Sequence, residues 1–287
     1  MNVKSFFDKD TCTVTYVAYD EETLDAVIID PVLNYDNQAS KVTYESLDEV
    51  CKFVDELSLK IHYILETHVH ADHLTSAPLL RENYENSKIV ISENIKVVQE
   101  VFSSIYNLKS VLVDGSQFDY LIKDEEKINA GSLSIEAIET PGHTPACLTY
   151  DIEGVLFTGD ALFMPDMGTG RCDFPKGSAV KLYESVQKIY SYPDDTTIYV
   201  GHDYAPGGRE YKFQTTVGEQ KKNNIQLKEH TSRDEFIEFR TKRDETLNTP
   251  KLLLPSIQVN MVAGRLPAAE DNGKQYLKIP INIEERS

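Results

Sequence analysis

The chain of 287 residues has no tryptophan and only four cysteines, Cys12, Cys51, Cys147 and Cys172, with no CxxC pair among them. That spacing argues against a disulfide framework and against a thiolate-type zinc site. Cys12 and Cys51 are expected to be small core residues. Positive charge is also scarce. Against 47 Asp and Glu stand 29 Lys and Arg, a formal net charge of −18. No binding to nucleic acid or to an anionic membrane is expected, because both need clustered cations. A small anionic ligand needs only a few well-placed Arg or Lys and stays open. No apolar run approaches the roughly 18–20 residues that cross a bilayer. The first residues, MNVKSFFDKDTCTVTYVAYD, carry Asp8 and Asp10 where a signal peptide would be apolar, so a cytoplasmic location is expected. Repeats and low-complexity stretches are lacking too.

What is present is a mixture of short strands and helices. Residues 12–18 and 25–30 read as strands, the second closed by Asp30-Pro31. Leu47, Val50, Cys51, Val54 and Leu57 recur at helical spacing, and Ser46 with Glu49 has the spacing of a capping box. A buried strand at 61–65 runs into ETHVHADH; helices near 74–83 and 94–105 and a strand at 88–92 follow. In the second half, 132–140 alternates as a strand, and 147–151 with 155–159 forms a hairpin turned by Glu153-Gly154. A helix near 180–190 and a strand at 196–200 come next. Charged helical stretches at 215–229 and 233–247 precede a tail whose LPSIQVN and YLKIPIN read as extended pieces. The expected division is a mixed α/β unit over 1–210 and an appendage over 211–287 packed on the same domain.

Four polar clusters each follow a strand directly, at 67–73, 140–144, 159–160 and 201–202. They hold five of the seven histidines, His68, His70, His73, His143 and His202, together with Asp72 and Asp160. Strand ends in a rigid sheet bring such side chains to one edge of a fold. Imidazole and carboxylate are the ligand set of zinc, iron or manganese. His62, alternating within a strand, is expected to be structural, and His230 a surface residue.

T-H-x-H-A-D-H (67–73), T-P-G-H-T (140–144), G-D (159–160) and G-H (201–202), in this order over about residues 10–210, resemble the metallo-β-lactamase superfamily. The resemblance implies an α/β fold, a four-layer αββα sandwich with a metal site at one edge of its two sheets. In dinuclear members, positions matching His68, His70 and His143 hold one metal; those matching Asp72, His73 and His202 hold the other, bridged by the position of Asp160. Flanking residues narrow the branch. G-D-A-L-F (159–163), G-T-G-R-C-D-F (168–174), G-H-D-Y (201–204), T-T-V-G-E-Q (215–220), N-N-I-Q (223–226) and the tail are similar to bacterial persulfide dioxygenases. That likeness implies non-haem iron(II), one per chain, ligated by His68, His143 and Asp160. These enzymes oxidise glutathione persulfide with O2 to sulfite and glutathione. His70, Asp72, His73 and His202 would then orient ligands and waters. Zinc is an alternative occupant of recombinant protein, and a homodimer is implied although no dimer face is legible.

Glutathione carries two carboxylates, so its pocket needs a cation. Arg171, eleven residues after Asp160, matches a lysine that contacts glutathione in the glyoxalase II relatives. Tyr204 matches a tyrosine there; Arg209 is a weaker candidate. A salt bridge with Asp173 is the plainer role for Arg171, and packing the plainer one for Tyr204. Cys172 stands where the animal-type pattern has threonine and is expected to be buried and inert. Rival functions are a glyoxalase II-like thioester hydrolase, a lactonase or β-lactamase-type hydrolase, and a non-catalytic metal-binding module. G-R-C-D-F disfavours the first, the flanking motifs the second, and the full set of seven metal-capable residues the third.

Overall fold

The computed structural model describes residues 1–281. In chain order the first half is β1 (Asn2–Asp8), β2 (Thr13–Tyr19), β3 (Asp25–Ile29), β4 (Val32–Asp36), β5 (Lys41–Thr43), α1 (Glu45–Leu57), β6 (Lys60–Leu65), β7 (Leu74–Thr75), α2 (Ala77–Asn83), β8 (Lys88–Ser92), α3 (Ile95–Ile105) and β9 (Tyr120–Ile122). The second half is β10 (Lys127–Ala130), β11 (Leu133–Glu139), β12 (Leu148–Ile152), β13 (Val155–Phe157), α4 (Ala179–Tyr190), β14 (Thr197–Tyr199), β15 (Gln214–Thr216), α5 (Val217–Asn223), α6 (Arg233–Asp244) and α7 (Leu253–Asn260). One sheet has the order β1-β2-β3-β6-β8-β9, a second β10-β11-β12-β13-β14-β15, and β5-β4-β7 make a small third.

Side-chain alternation along the strands creates the layers. In β2 and β3, Val17, Ala26 and Ile28 face an apolar layer shared with Leu47, Val50 and Val54 of α1 and Ile95 and Val98 of α3. Their neighbours Val14, Tyr16, Val27 and Ile29 turn the other way, onto Leu133, Ile135, Tyr150 and Phe157 of the second sheet. On that sheet's far side, Leu156 and Ile198 pack with Leu182, Val186 and Ile189 of α4 and Phe236 of α6. The result is a four-layer αββα sandwich. Residues beyond 210 supply β15 to the second sheet, α5 and α6 to its cover, and α7 against β7.

The two sheets meet at one edge through glycine. Gly159, at φ +48°, leaves no room for a Cβ, which would lie 2.5 Å from Thr67 Oγ1. A Cβ on Gly201 would come within 3.1 Å of the Gly159 backbone, and the Gly201 amide donates to the Gly159 carbonyl at 3.3 Å. The loops after β6, β13 and β14 therefore touch, and their side chains share one volume.

Several local expectations need correction. Ser46 and Glu49 do not form a capping box. Tyr44 is the N-cap of α1 with no side-chain hydrogen bond there, and the Ser46 amide donates instead to Asn34 Oδ1 on β4 at 2.8 Å. The capping box lies at Ser232 and Glu235, opening α6. Of the stretch 215–229 only α5 is helical, because Asn224 Oδ1 accepts from the Gln226 and Leu227 amides, both at 2.9 Å, and turns the chain. LPSIQVN is not extended: it lies within α7, whose Pro255 sits in the first turn, where a missing N–H leaves no helical bond unmade. Residues 276–281 of YLKIPIN form no regular element, and its last residue lies outside the described residues. Cys12 is half-buried at φ +58° rather than a core residue.

Candidate metal centre

His68, His73, His143 and His202 each tie Nδ1 to the protein by a hydrogen bond, and His70 places Nε2 beside two carboxylates. Thr67 Oγ1 donates to Asp30 Oδ2 at 2.7 Å, so it accepts from His68 Nδ1 at 3.0 Å. His143 Nδ1 donates to the Arg171 carbonyl at 2.7 Å, and His202 Nδ1 to the Cys12 carbonyl at 3.1 Å. His70 turns Nε2 to Asp30 Oδ1 at 3.0 Å and Glu66 Oε2 at 3.4 Å. His73 Nδ1 lies 3.2 Å from Asp72 Oδ2, a carboxylate that also accepts from Thr13 Oγ1 at 3.0 Å. Fixing the tautomer from behind is how proteins present an imidazole lone pair to a metal.

The bare atoms are buried. His68 Nε2, both ring nitrogens of His70, His73 Nε2, Asp160 Oδ1 and Glu66 Oε2 find no hydrogen-bond partner. Such orphans cost about 1–3 kcal/mol each in a dry interior unless something occupies the space between them. A cation suits a cluster of imidazole lone pairs and carboxylate oxygens, so the residues fit a metal.

Three groups of donors are brought together, His68 with His143 and Asp160, His70 with Asp72 and His73, and Asp30 with Glu66 and His70; within each, one atom per residue lies within 4.8 Å of the others. Asp160 Oδ2 is 3.5 Å from His143 Nε2 and 3.9 Å from His68 Nε2. Its Oδ1 is 3.3 Å from His202 Nε2, which in turn lies 3.6 Å from Asp72 Oδ2. The seven residues singled out in the sequence thus form one contiguous cluster.

Charge is distributed to match. Burial drives the pKa of His68 well below that of a free imidazole, helped by the neighbouring His70. Burial also opposes charge on His70, but Asp30 and Glu66 overcome it and raise its pKa well above the usual value. Burial resists ionisation of Asp72 as well, yet His202 and His73 hold its carboxyl well below the carboxylate range.

Above the floor opens a pocket of roughly 580 Å³ reached by Asp72, His143, Asp160, Arg171, Tyr204 and Arg243. Arg171 lines it, but its fork is already engaged: Nε and Nη2 reach the Asp173 carboxylate at 2.5 Å each, and Nη1 donates to the Asn248 carbonyl at 2.7 Å. Tyr204 is half-exposed and stacks on His202, 5.7 Å between centroids. Arg209 points to Asp166 and Asp203 instead of the pocket. Cys172 is buried, and burial pushes its thiol up, which leaves it protonated and inert. His62 Nε2 pairs with Asp25 at 2.7 Å, and His230 is exposed.

Sequence reasoning missed Asp30, Glu66, Thr13 and the Cys12 carbonyl behind the ligands, and Arg243 and Lys251 at the pocket rim. Asp30 had one signal: it ends a strand directly before Pro31, and it sits at φ +48°. Among the described residues no helix is long and apolar enough to cross a membrane.

The chain is 47% identical over 282 residues to Glyoxylase B2 of Dictyostelium discoideum, covering 98% of this chain and 97% of that one. It is 34% identical over 252 residues to the mitochondrial persulfide dioxygenase of Bos taurus, covering 87% and 82%. The crystal structure of ETHE1 from Myxococcus xanthus superposes with a TM-score of 0.74 at 32% identity, covering 92% of this chain and all of that one. The family model described as the metallo-beta-lactamase superfamily matches residues 9–202, which include all seven residues of the cluster, and this chain belongs to that superfamily.

Proposed function

We propose that this chain is an iron(II)-dependent persulfide dioxygenase that converts glutathione persulfide and O2 to sulfite and glutathione. The observation that carries the reading is the donor set of His68, His143 and Asp160, two imidazoles and one carboxylate gathered within 4.8 Å below an open pocket. Iron(II) held by such a face would keep neighbouring positions open for O2 and the persulfide sulfur and would supply the electrons that start the oxidation. One persulfide, one O2 and one water give one thiol, one sulfite and two protons.

The chain's own residues do the rest. The Arg171 carbonyl holds His143 while the Arg171 side chain faces the pocket, so one residue ties the floor to the substrate wall. The N–H groups of Arg171 not used by Asp173 and Asn248 would serve a substrate carboxylate, with Tyr204 of the same lining as a stacking and hydroxyl contact. Phe163, Met167 and Leu247 give the pocket apolar surface that keeps bulk water from the sulfur end. The 34% identity to the Bos taurus persulfide dioxygenase supports this reading.

Protein loaded anaerobically with iron(II) should consume O2 on addition of glutathione persulfide, with one sulfite formed per O2. Iron-loaded protein that takes up no O2 would sink the proposal.

A second reading is hydrolysis of a glutathione thioester. The second group of donors, His70 with Asp72 and His73, favours it, since a hydrolase can use two metals. The 47% identity to Glyoxylase B2 favours it as well. Hydrolysis of S-lactoylglutathione by iron- or zinc-loaded protein, without O2 uptake, would select it.

A further inference from the structure

The backbone of the ligand loop is gripped from the far end of the chain. Asn260, the last residue of α7, is 4% exposed and uses its whole carboxamide. Its Nδ2 donates to the carbonyls of His70 at 2.9 Å and His73 at 2.7 Å, and its Oδ1 accepts from the Thr75 amide at 2.9 Å. Two carbonyls three residues apart converge on one nitrogen, and the imidazoles of the same two residues converge with 4.2 Å between ring centroids. The amide thereby sets the curvature of the loop that carries His70, Asp72 and His73.

The seat of Asn260 is itself tightly built. Val259 packs with Leu33 and Leu74. After α7 the Gly264 amide returns to the Val259 carbonyl at 3.0 Å. Gly264 has φ +76°, and a Cβ there would meet Pro78 Cδ at 2.6 Å and Thr75 Cγ2 at 2.8 Å. Backbone 259–264 is therefore pressed against the exit of the ligand loop, closer than any side chain would permit.

We propose that Asn260 is a positioning residue of the metal centre, through which the C-terminal segment presets the ligand loop for metal. The inference rests on the site being a metal centre, but not on which reaction the metal serves. Residues behind the ligands commonly govern metal affinity by about 10–100-fold.

Asn260→Asp is close to isosteric. It keeps the acceptor for Thr75 and replaces both donors by an oxygen facing two carbonyls. Val259→Ala is the control for loosened packing of α7, and Asn260→Ser keeps a single donor should the aspartate variant fold poorly. Dissociation constants for iron(II) and zinc(II) are read by chelator competition, beside the melting temperature of each metal-free protein. Asn260→Asp should bind both metals about 10–100-fold more weakly than wild type. Asn260→Ser should fall between, and Val259→Ala should lower the melting temperature with little change in affinity. Coupling is reciprocal, so zinc should slow amide hydrogen exchange across 253–260 in the unaltered chain. Equal affinities in Asn260→Asp, Asn260→Ser and Val259→Ala would overturn the assignment, as would exchange over 253–260 that ignores zinc. A wild-type chain that binds neither metal would overturn the metal centre itself, and this assignment with it.

Discussion

On the floor of the pocket His68, His143 and His202 are at most 4% exposed, and each is pinned through a ring nitrogen to a hydroxyl or carbonyl of the chain. On the outer wall Arg243 and Lys251 are exposed, come from α6 and the loop after it, and pair with no carboxylate among the described residues. The floor is over-determined by hydrogen bonds from three loops, whereas the wall is surface charge around an apolar trough. Coordination chemistry tolerates errors of a fraction of an ångström, while recognition of a flexible carboxylate tolerates much more. Under the proposed function the floor would decide whether a reaction occurs, and the wall what is brought to it.

The largest effect should come from the floor. Asp160→Ala removes the carboxylate that lies beside His68, His143 and His202 and should take metal content and turnover below detection, read by elemental analysis and O2 uptake together. Full metal occupancy in that variant would erase the distinction between floor and wall. Arg171 sits between the two regions. Arg171→Ala should raise KM for glutathione persulfide about tenfold, the worth of one charge-assisted hydrogen bond, with a smaller change in kcat. A large fall in kcat with constant KM would move Arg171 to the floor, through its carbonyl on His143.

Replacing Arg243 and Lys251 together by Ala should raise KM about two- to fivefold, an effect that fades at high salt because both charges face solvent. No change at low salt would leave the wall without a role for these cations. The smallest effect lies away from the pocket. The His62 hydrogen bond holds Asp25 down at about 2 against a usual 3.8. A depressed carboxylate stabilises the fold above its unfolded pKa, and the benefit is lost as pH falls through the folded one. Asp25→Asn should thus cost about 1 kcal/mol, allowing for solvent screening, in full above about pH 5 and only a small part of it at about pH 2. Denaturation at both pH values measures it.

The same contrast explains what the sequence disclosed. All seven cluster residues were visible because each follows a strand and belongs to a residue type that metals select, with Gly159 and Gly201 marking where the sheets touch. The strands β2, β3, β6, β8 and β11 were legible from alternation. The strands β1, β5, β9 and β10 were not, since they are short or lie at edges where partial exposure blurs the pattern, and β4 was missed because its second half is partly exposed. Asn260 left no local trace at all, because its three bonds are to backbone atoms 185 to 190 residues away in the chain. The α7 helix was hidden by Pro255, which reads as a breaker except in a first turn. Arg171 lines the pocket, but its engagement by Asp173 and Asn248 depends on a loop conformation that spacing does not encode.

Because His68 follows a strand of one sheet while His143 and Asp160 follow strands of the other, an ion shared by the three also acts as a cross-link. It would bridge segments far apart in the chain, in a protein whose cysteines are all free. Such a link restricts the unfolded chain as a disulfide does, but it can be removed by a chelator and restored by mass action. The thermal midpoint of this protein should therefore climb with free metal by RT ln(1 + [M]/Kd), which makes heat resistance a direct gauge of occupancy.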